Sequence, residues 1–194
     1  WQLELPQEAP TKDLFENTNK VIIDRTENNE ILSQSTLKQQ FSETNWILNE
    51  IGLNDLDLSI VYDKFSKIKN LEFKIYNSKG ELVKTYKEKD FTDSSLADGF
   101  SVLTDNRIKS LNPSYFDYPF YTKFDYEIEE ENTIHIPPFS PIQSSDDRVV
   151  KASYQLTFPK GFSIKKTEKN LTDYKIVAEE NPNSISYKVS NIIA

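Results

Sequence analysis

Several segments of the chain alternate apolar and polar residues with a period of two. The clearest lie at 71–75, 124–128, 150–158 and 185–189. Alternation of this kind is typical of β-strands that bury one face and expose the other. The sequence therefore predicts antiparallel sheets that pack face to face in a β-sandwich.

Turn residues divide these segments. Gly80 ends the turn 77–80 and is followed by a return strand at 82–86, and Gly161 precedes a further predicted strand at 162–164. Helical spacing is scarce: 35–41 and 63–68 would hold one or two helical turns, and 94–98 a short helical loop. We therefore predict an all-β fold with little helix. The side chains expected to be mostly buried are Phe73, Phe124, Tyr126, Ala152, Tyr154, Leu156 and Phe158.

The domain organisation follows from the same pattern. Residues 20–194 contain no linker-like stretch and are predicted to form a single domain. Residues 1–19 are predicted to be an N-terminal arm, because Pro6 and Pro10 interrupt the alternation there.

Charge and cysteine content exclude several functional classes. The net charge is -8, from 31 acidic and 23 basic residues without a basic stripe, which argues against nucleic acid as a partner. No apolar run approaches the ~18 residues of a membrane span, so no membrane insertion is expected. The absence of cysteine excludes disulfides, thiolate metal sites and a cysteine nucleophile in this chain.

The candidate catalytic residues carry little signal. His135, the only histidine, lies in the strand-like stretch 133–137 without a nucleophile motif, so we expect an exposed or half-exposed strand residue. Asp55 and Asp57 fit a turn better than a calcium loop, which normally carries a glycine. No carboxylate pair stands out, so a hydrolase with two carboxylates is the least favoured alternative. We predict no catalytic, cofactor-binding or metal-binding residues.

Aromatic residues are densest between 115 and 126. Pro113 and Pro119 disrupt the period there, which leaves Tyr115, Tyr118 and Tyr121 as the candidate binding surface. The alternative is that these rings fill the space where strands cross between sheets.

Several runs, taken in order, resemble a known family. They are DGFSVLTDNRIK at 98–109, YPF at 118–120, IPPFSP at 136–141 and SYKVSNIIA at 186–194. Over about 20–194 the chain resembles a domain of unknown function that lies immediately N-terminal to transglutaminase-like domains in exported proteins of Gram-negative bacteria. Phe139 departs from the pattern, in which a tryptophan is expected.

The resemblance implies an immunoglobulin-like sandwich without an activity of its own. A papain-like, transglutaminase-like catalytic domain would follow downstream as the partner. The chain is then expected to be a non-enzymatic accessory domain of an exported protein of the periplasm or cell envelope, with its signal peptide removed. The alternative is a stand-alone module that binds a glycan or a peptide.

Overall fold

Strands dominate the computed structural model, which describes Leu3 and residues 17–96, 105–142 and 146–193. The strands of this part are β1 (Lys20–Ser33), β2 (Thr36–Ile47), β3 (Ser59–Tyr62), β4 (Ser66–Tyr76), β5 (Leu82–Lys87), β6 (Thr92–Ser95), β7 (Arg107–Ser110), β8 (Phe120–Glu130), β9 (Arg148–Thr157), β10 (Val177–Asn181) and β11 (Ser184–Ile193). Helix α1 (Glu50–Asn54) and a 3₁₀ turn (Glu88–Asp90) complete the elements. Strands make up 55% of the structure and helix 5%, which confirms the all-β prediction.

The strands form two unequal sheets. The larger has the order β10-β11-β9-β1-β2-β8-β4-β5, and the smaller has the order β3-β7-β6. All neighbours are antiparallel except β1 and β9, which run parallel. The prediction of a purely antiparallel arrangement is therefore wrong at this pair. The two strands are far apart in sequence, so no hairpin turn dictates their relative direction.

The smaller sheet packs against one half of the larger one. Ile60 of β3 is buried with residues of β2, β4 and β8, including Ile47, Phe73 and Phe124. The half formed by β9, β1 and β11 is instead covered by irregular chain. Side chains such as Phe139 and Ile164 pack there against Tyr154, Leu156 and Ile185.

The predicted core agrees closely with the observed one. Six of the seven side chains expected to be buried are at most 8% exposed, and Tyr126 is partly buried. The predicted turn at 77–80 is also present, with the Gly80 N–H donating to the Asn77 carbonyl at 2.9 Å and a Gly80 φ of 79°.

Local predictions failed where polar or proline residues interfered. Residues 35–41 belong mainly to β2 rather than to a helix, and 162–164 are irregular rather than a strand. The stretch 133–137 is irregular too, because Pro137 and Pro138 lack N–H donors. Ile134 there is 96% exposed.

Other local predictions fall at the edges of the described chain. Residues 92–95 form β6 instead of a helical loop, and 97–98 lie outside the described residues. Most of the predicted arm also lies outside them, although the Leu3 N–H donates to the Gly80 carbonyl at 3.0 Å. Among the described residues, no helix is long and apolar enough to cross a membrane.

Candidate functional site

The three tyrosines of the predicted binding surface lie in two places. The rings of Tyr115 and Tyr118 contact the fully buried Phe120, with centroid distances of 4.8 and 5.2 Å. Tyr121 follows Phe120 in β8 and therefore lies on the opposite face, where it stacks on Trp46 at 6.1 Å. The structure does not bring the three rings together on one surface, and a binding role for them stays a prediction.

A groove with a volume of about 280 Å³ lies over β9 and β11, on the inner face of the larger sheet. Tyr154 and Leu156 of β9, with Ile185 and Tyr187 of β11, form its floor. The other lining residues are 136–139, 164–169, Leu171 and Ile176. We call this site the apolar groove.

Three aromatic rings pack together in the apolar groove. Phe139 is stacked on Tyr187 with a centroid distance of 6.2 Å, and it lies 5.7 Å from Tyr154. The Tyr154 hydroxyl donates to the Pro137 carbonyl at 3.3 Å. Burial raises the pKa of Tyr154 to about 12, so its hydroxyl is a neutral donor at physiological pH.

Charged side chains surround the opening of the apolar groove. The Lys166 ammonium bonds to Glu168 at 2.8 Å and to Glu180 at 2.9 Å, and these hydrogen bonds raise its pKa. The Tyr187 hydroxyl donates to Glu168 at 2.6 Å. Within the described chain, Lys165 and Lys169 have no carboxylate partner. The rim therefore carries an excess of positive charge in a protein whose net charge is negative.

The two irregular walls of the apolar groove make few main-chain hydrogen bonds to other described residues. Over the part of the chain that the structure describes, residues 163–169 make no backbone–backbone hydrogen bond. The same holds for 136–139. Backbone N–H and C=O groups need partners when they are removed from water, so the stretch 163–169 can offer donors and acceptors to a ligand. The stretch 136–139 offers fewer, because Pro137 and Pro138 have no N–H and the Pro137 carbonyl accepts from the Tyr154 hydroxyl.

A second polar feature, the buried polar stripe, crosses the inner face of β1 and β2. It consists of Arg25, Glu27, Asn29, Glu43 and Asn45. Arg25 pairs with Glu43 at 2.5 Å, and the two side chains are only 7% and 13% exposed. Arg25 also donates to the Ser140 carbonyl at 3.2 Å, and the Asn45 amide donates to Glu43 at 2.8 Å.

The buried polar stripe contains one carboxyl group with an unusual pKa. Burial raises the pKa of Glu27 to about 7, with Arg25 opposing that change and Glu43 reinforcing it. Burial and the neighbouring Glu27 also raise the pKa of Tyr126. Glu43 accepts hydrogen bonds from Arg25 and Asn45, and Glu27 is the carboxyl group of the stripe that can hold a proton near neutral pH.

The remaining candidate residues have local roles. His135 is exposed, on irregular chain rather than on the predicted strand. Asp55 pairs with Lys20 at 2.8 Å, and Asp57 accepts hydrogen bonds from the Ser59 N–H and hydroxyl at 3.1 and 2.6 Å. No group of three or more His, Cys, Asp or Glu residues within the described ranges could hold a metal ion.

The profile of DUF3857, a domain of unknown function with a solved structure, matches residues 38–194. The chain belongs to the DUF3857 family. No match to this DUF3857 domain was found among curated proteins.

The solved structures that match this chain belong to longer proteins. A "putative protease" from Parabacteroides distasonis is similar in structure, with 13% sequence identity and a TM-score of 0.70. The similarity covers 91% of this chain and 36% of the length of that protein. An M1 zinc metallopeptidase from Deinococcus radiodurans matches 89% of this chain and 39% of its own, with 8% identity and a TM-score of 0.35. The first match establishes a shared fold, and the DUF3857 domain spans little more than a third of that protein's length.

Proposed function

We propose that this DUF3857 domain is a non-catalytic accessory domain of a longer exported protein. It lies beside a transglutaminase-like or protease domain that follows it, and it helps to shape or present the substrate site of that domain. The observation that carries the proposal is the match of nearly the whole chain to about a third of a protein named as a protease.

Two properties of the chain support this proposal. The sequence has no cysteine, so a papain-like nucleophile would have to come from another domain. Its single histidine is exposed, whereas the base of a catalytic triad is held in place by a hydrogen-bonded carboxylate. An accessory role is consistent with a sheet scaffold that carries a concave apolar groove.

A stand-alone binding module is the second candidate function. The apolar groove favours it, because three packed rings and a basic rim form a concave site without the need for a neighbouring domain. Binding by the isolated domain would be common to both functions, and only the accessory role requires an effect on catalysis.

The longer polypeptide and a version lacking residues 20–194 provide the test. We expect the truncated enzyme to show a KM raised by about tenfold with kcat changed by less than about twofold, since substrate presentation affects binding before chemistry. Steady-state kinetics on a protein substrate measures both constants, and circular dichroism verifies that the truncated enzyme is folded. A folded truncated enzyme with unchanged KM would contradict the proposal.

A further inference from the structure

We propose that the apolar groove binds an extended peptide segment with one aliphatic or aromatic side chain next to carboxylates. The inference rests on the proposed function, because it names the kind of substrate segment that the domain would present. It is argued from the lining, the main chain and the charge of the groove.

The lining of the groove accepts an apolar side chain. Leu156 and Ile185 are buried in its floor, and the rings of Phe139, Tyr154 and Tyr187 are packed around it. A volume of about 280 Å³ lies just below the range of small-molecule pockets, which suits one large side chain with the adjoining main chain. Burial of such a side chain contributes the apolar part of the affinity.

The main chain of the walls favours an extended ligand. Residues 163–169 cross the inner face without a backbone–backbone hydrogen bond to other described residues. The other wall, 136–139, contributes little to such pairing, because Pro137 and Pro138 lack N–H donors and the Pro137 carbonyl accepts from the Tyr154 hydroxyl. A peptide in extended conformation presents an N–H and a C=O on alternate sides. It can therefore pair with residues 163–169 in the manner of strand addition.

We call the apolar side chain that enters the groove the anchor. The charge of the rim favours acidic residues on either side of it. Lys166 is already neutralised by Glu168 and Glu180, but Lys165 and Lys169 lack a carboxylate among the described residues. Carboxylates that flank the anchor would complement these two cations and steer the peptide towards the groove.

The packing of the rings disfavours a glycan as the occupant. Sugar rings stack on open aromatic faces, whereas Phe139 and Tyr187 stack on each other, 6.2 Å apart and inclined by 19°. Glu168, an acceptor for hydroxyl groups, is already bonded to Lys166 and to Tyr187. The groove therefore suits an apolar anchor better than a hydroxyl-rich ring.

Fluorescence anisotropy of the isolated chain with a defined probe tests the proposal. The probe is a fluorescein-labelled decapeptide with one central phenylalanine, glutamates on both sides and glycines at the ends. Three companion peptides replace the phenylalanine by glycine, replace the glutamates by lysines, or methylate alternate backbone nitrogens. We expect Kd to rise at least about fivefold for each companion, because each removes one of the three contributions.

Charge-reversal variants locate the binding site. The double variant Lys165→Glu/Lys169→Glu should weaken binding of the parent probe at least about fivefold. The control Lys79→Glu/Lys89→Glu changes the net charge equally at exposed positions outside the groove and should stay within about twofold. Equal weakening by the two variants would place binding elsewhere and overturn the proposal.

Two further outcomes also overturn the inference. One is the absence of binding at about 1 mM probe, and the other is equal affinity for the parent and the glycine companion. Either result leaves the accessory role intact, since that role is judged by the kinetics of the truncated enzyme. Conversely, peptide binding without any effect of truncation on KM would support the stand-alone module.

Discussion

Replacement of Phe124 by alanine is expected to lower the free energy of unfolding by about 3–5 kcal/mol. Phe124 is 4% exposed and lies in the core between the two sheets. Its ring centroid is 6.1 Å from that of Phe41, 6.4 Å from that of Phe73 and 6.2 Å from that of Phe91. Alanine would leave a cavity among rings that cannot all move inward, and a domain of this size has only about 5–15 kcal/mol to lose.

The matched control is Phe116→Ala, which removes the same atoms from a side chain that is 67% exposed. We expect this variant to change stability by no more than about 0.5 kcal/mol. Urea denaturation followed by circular dichroism measures both variants. Similar losses at the two positions would contradict the assignment of Phe124 to the core.

The second large effect concerns Glu27 and the pH dependence of stability. The pKa of Glu27 is about 7 in the folded protein, whereas the ordinary value for a glutamate is 4.5, so folding favours the protonated form. Protonated Glu27 therefore makes its full contribution to the stability of the folded protein below about pH 4.5, and this contribution is lost as the pH rises through 7. Glu27→Gln is uncharged at every pH, so we expect it to be more stable than the parent by up to about 3 kcal/mol at pH 8.

Urea titrations of both proteins at several pH values between 5 and 8 measure this difference. The gap between Glu27→Gln and the parent should widen as the pH rises. Glu30→Gln is the control, because Glu30 lies in the same strand and is exposed. A gap that stays constant with pH, or that is matched by Glu30→Gln, would show that Glu27 titrates as an ordinary surface carboxyl group.

The sequence pattern locates strands whose inner face is mainly apolar. The strands β4, β8, β9 and β11 were all found in this way, since period-2 alternation is strong wherever one face is wet. The full lengths of β1 and β2 escaped detection because their inner face carries the buried polar stripe. Arg25, Glu27 and Glu43 are charged residues at positions on the inner face, so the alternation of apolar and polar residues is lost there.

The apolar groove could be predicted only in part. Tyr154 and Leu156 were expected in the core, and Phe139 was singled out by the family pattern, but their convergence depends on sheet order. The chain 136–139 and the chain 164–169 meet over β9 and β11 through tertiary packing that no local pattern encodes. Lys165 and Lys169, which have no carboxylate partner among the described residues, belong to a polar run typical of an ordinary solvated loop.

Activity assays of the purified chain test the central claim, that this DUF3857 domain holds no catalytic machinery and serves a neighbouring catalytic domain. Amide hydrolysis and transamidation are measured for residues 1–194 and for the longer polypeptide under identical conditions. We predict turnover by the longer polypeptide alone, unaffected by His135→Ala. It should be abolished by replacing the nucleophilic cysteine expected in the transglutaminase-like domain that we propose to follow. Turnover by residues 1–194, abolished by His135→Ala, would contradict the account.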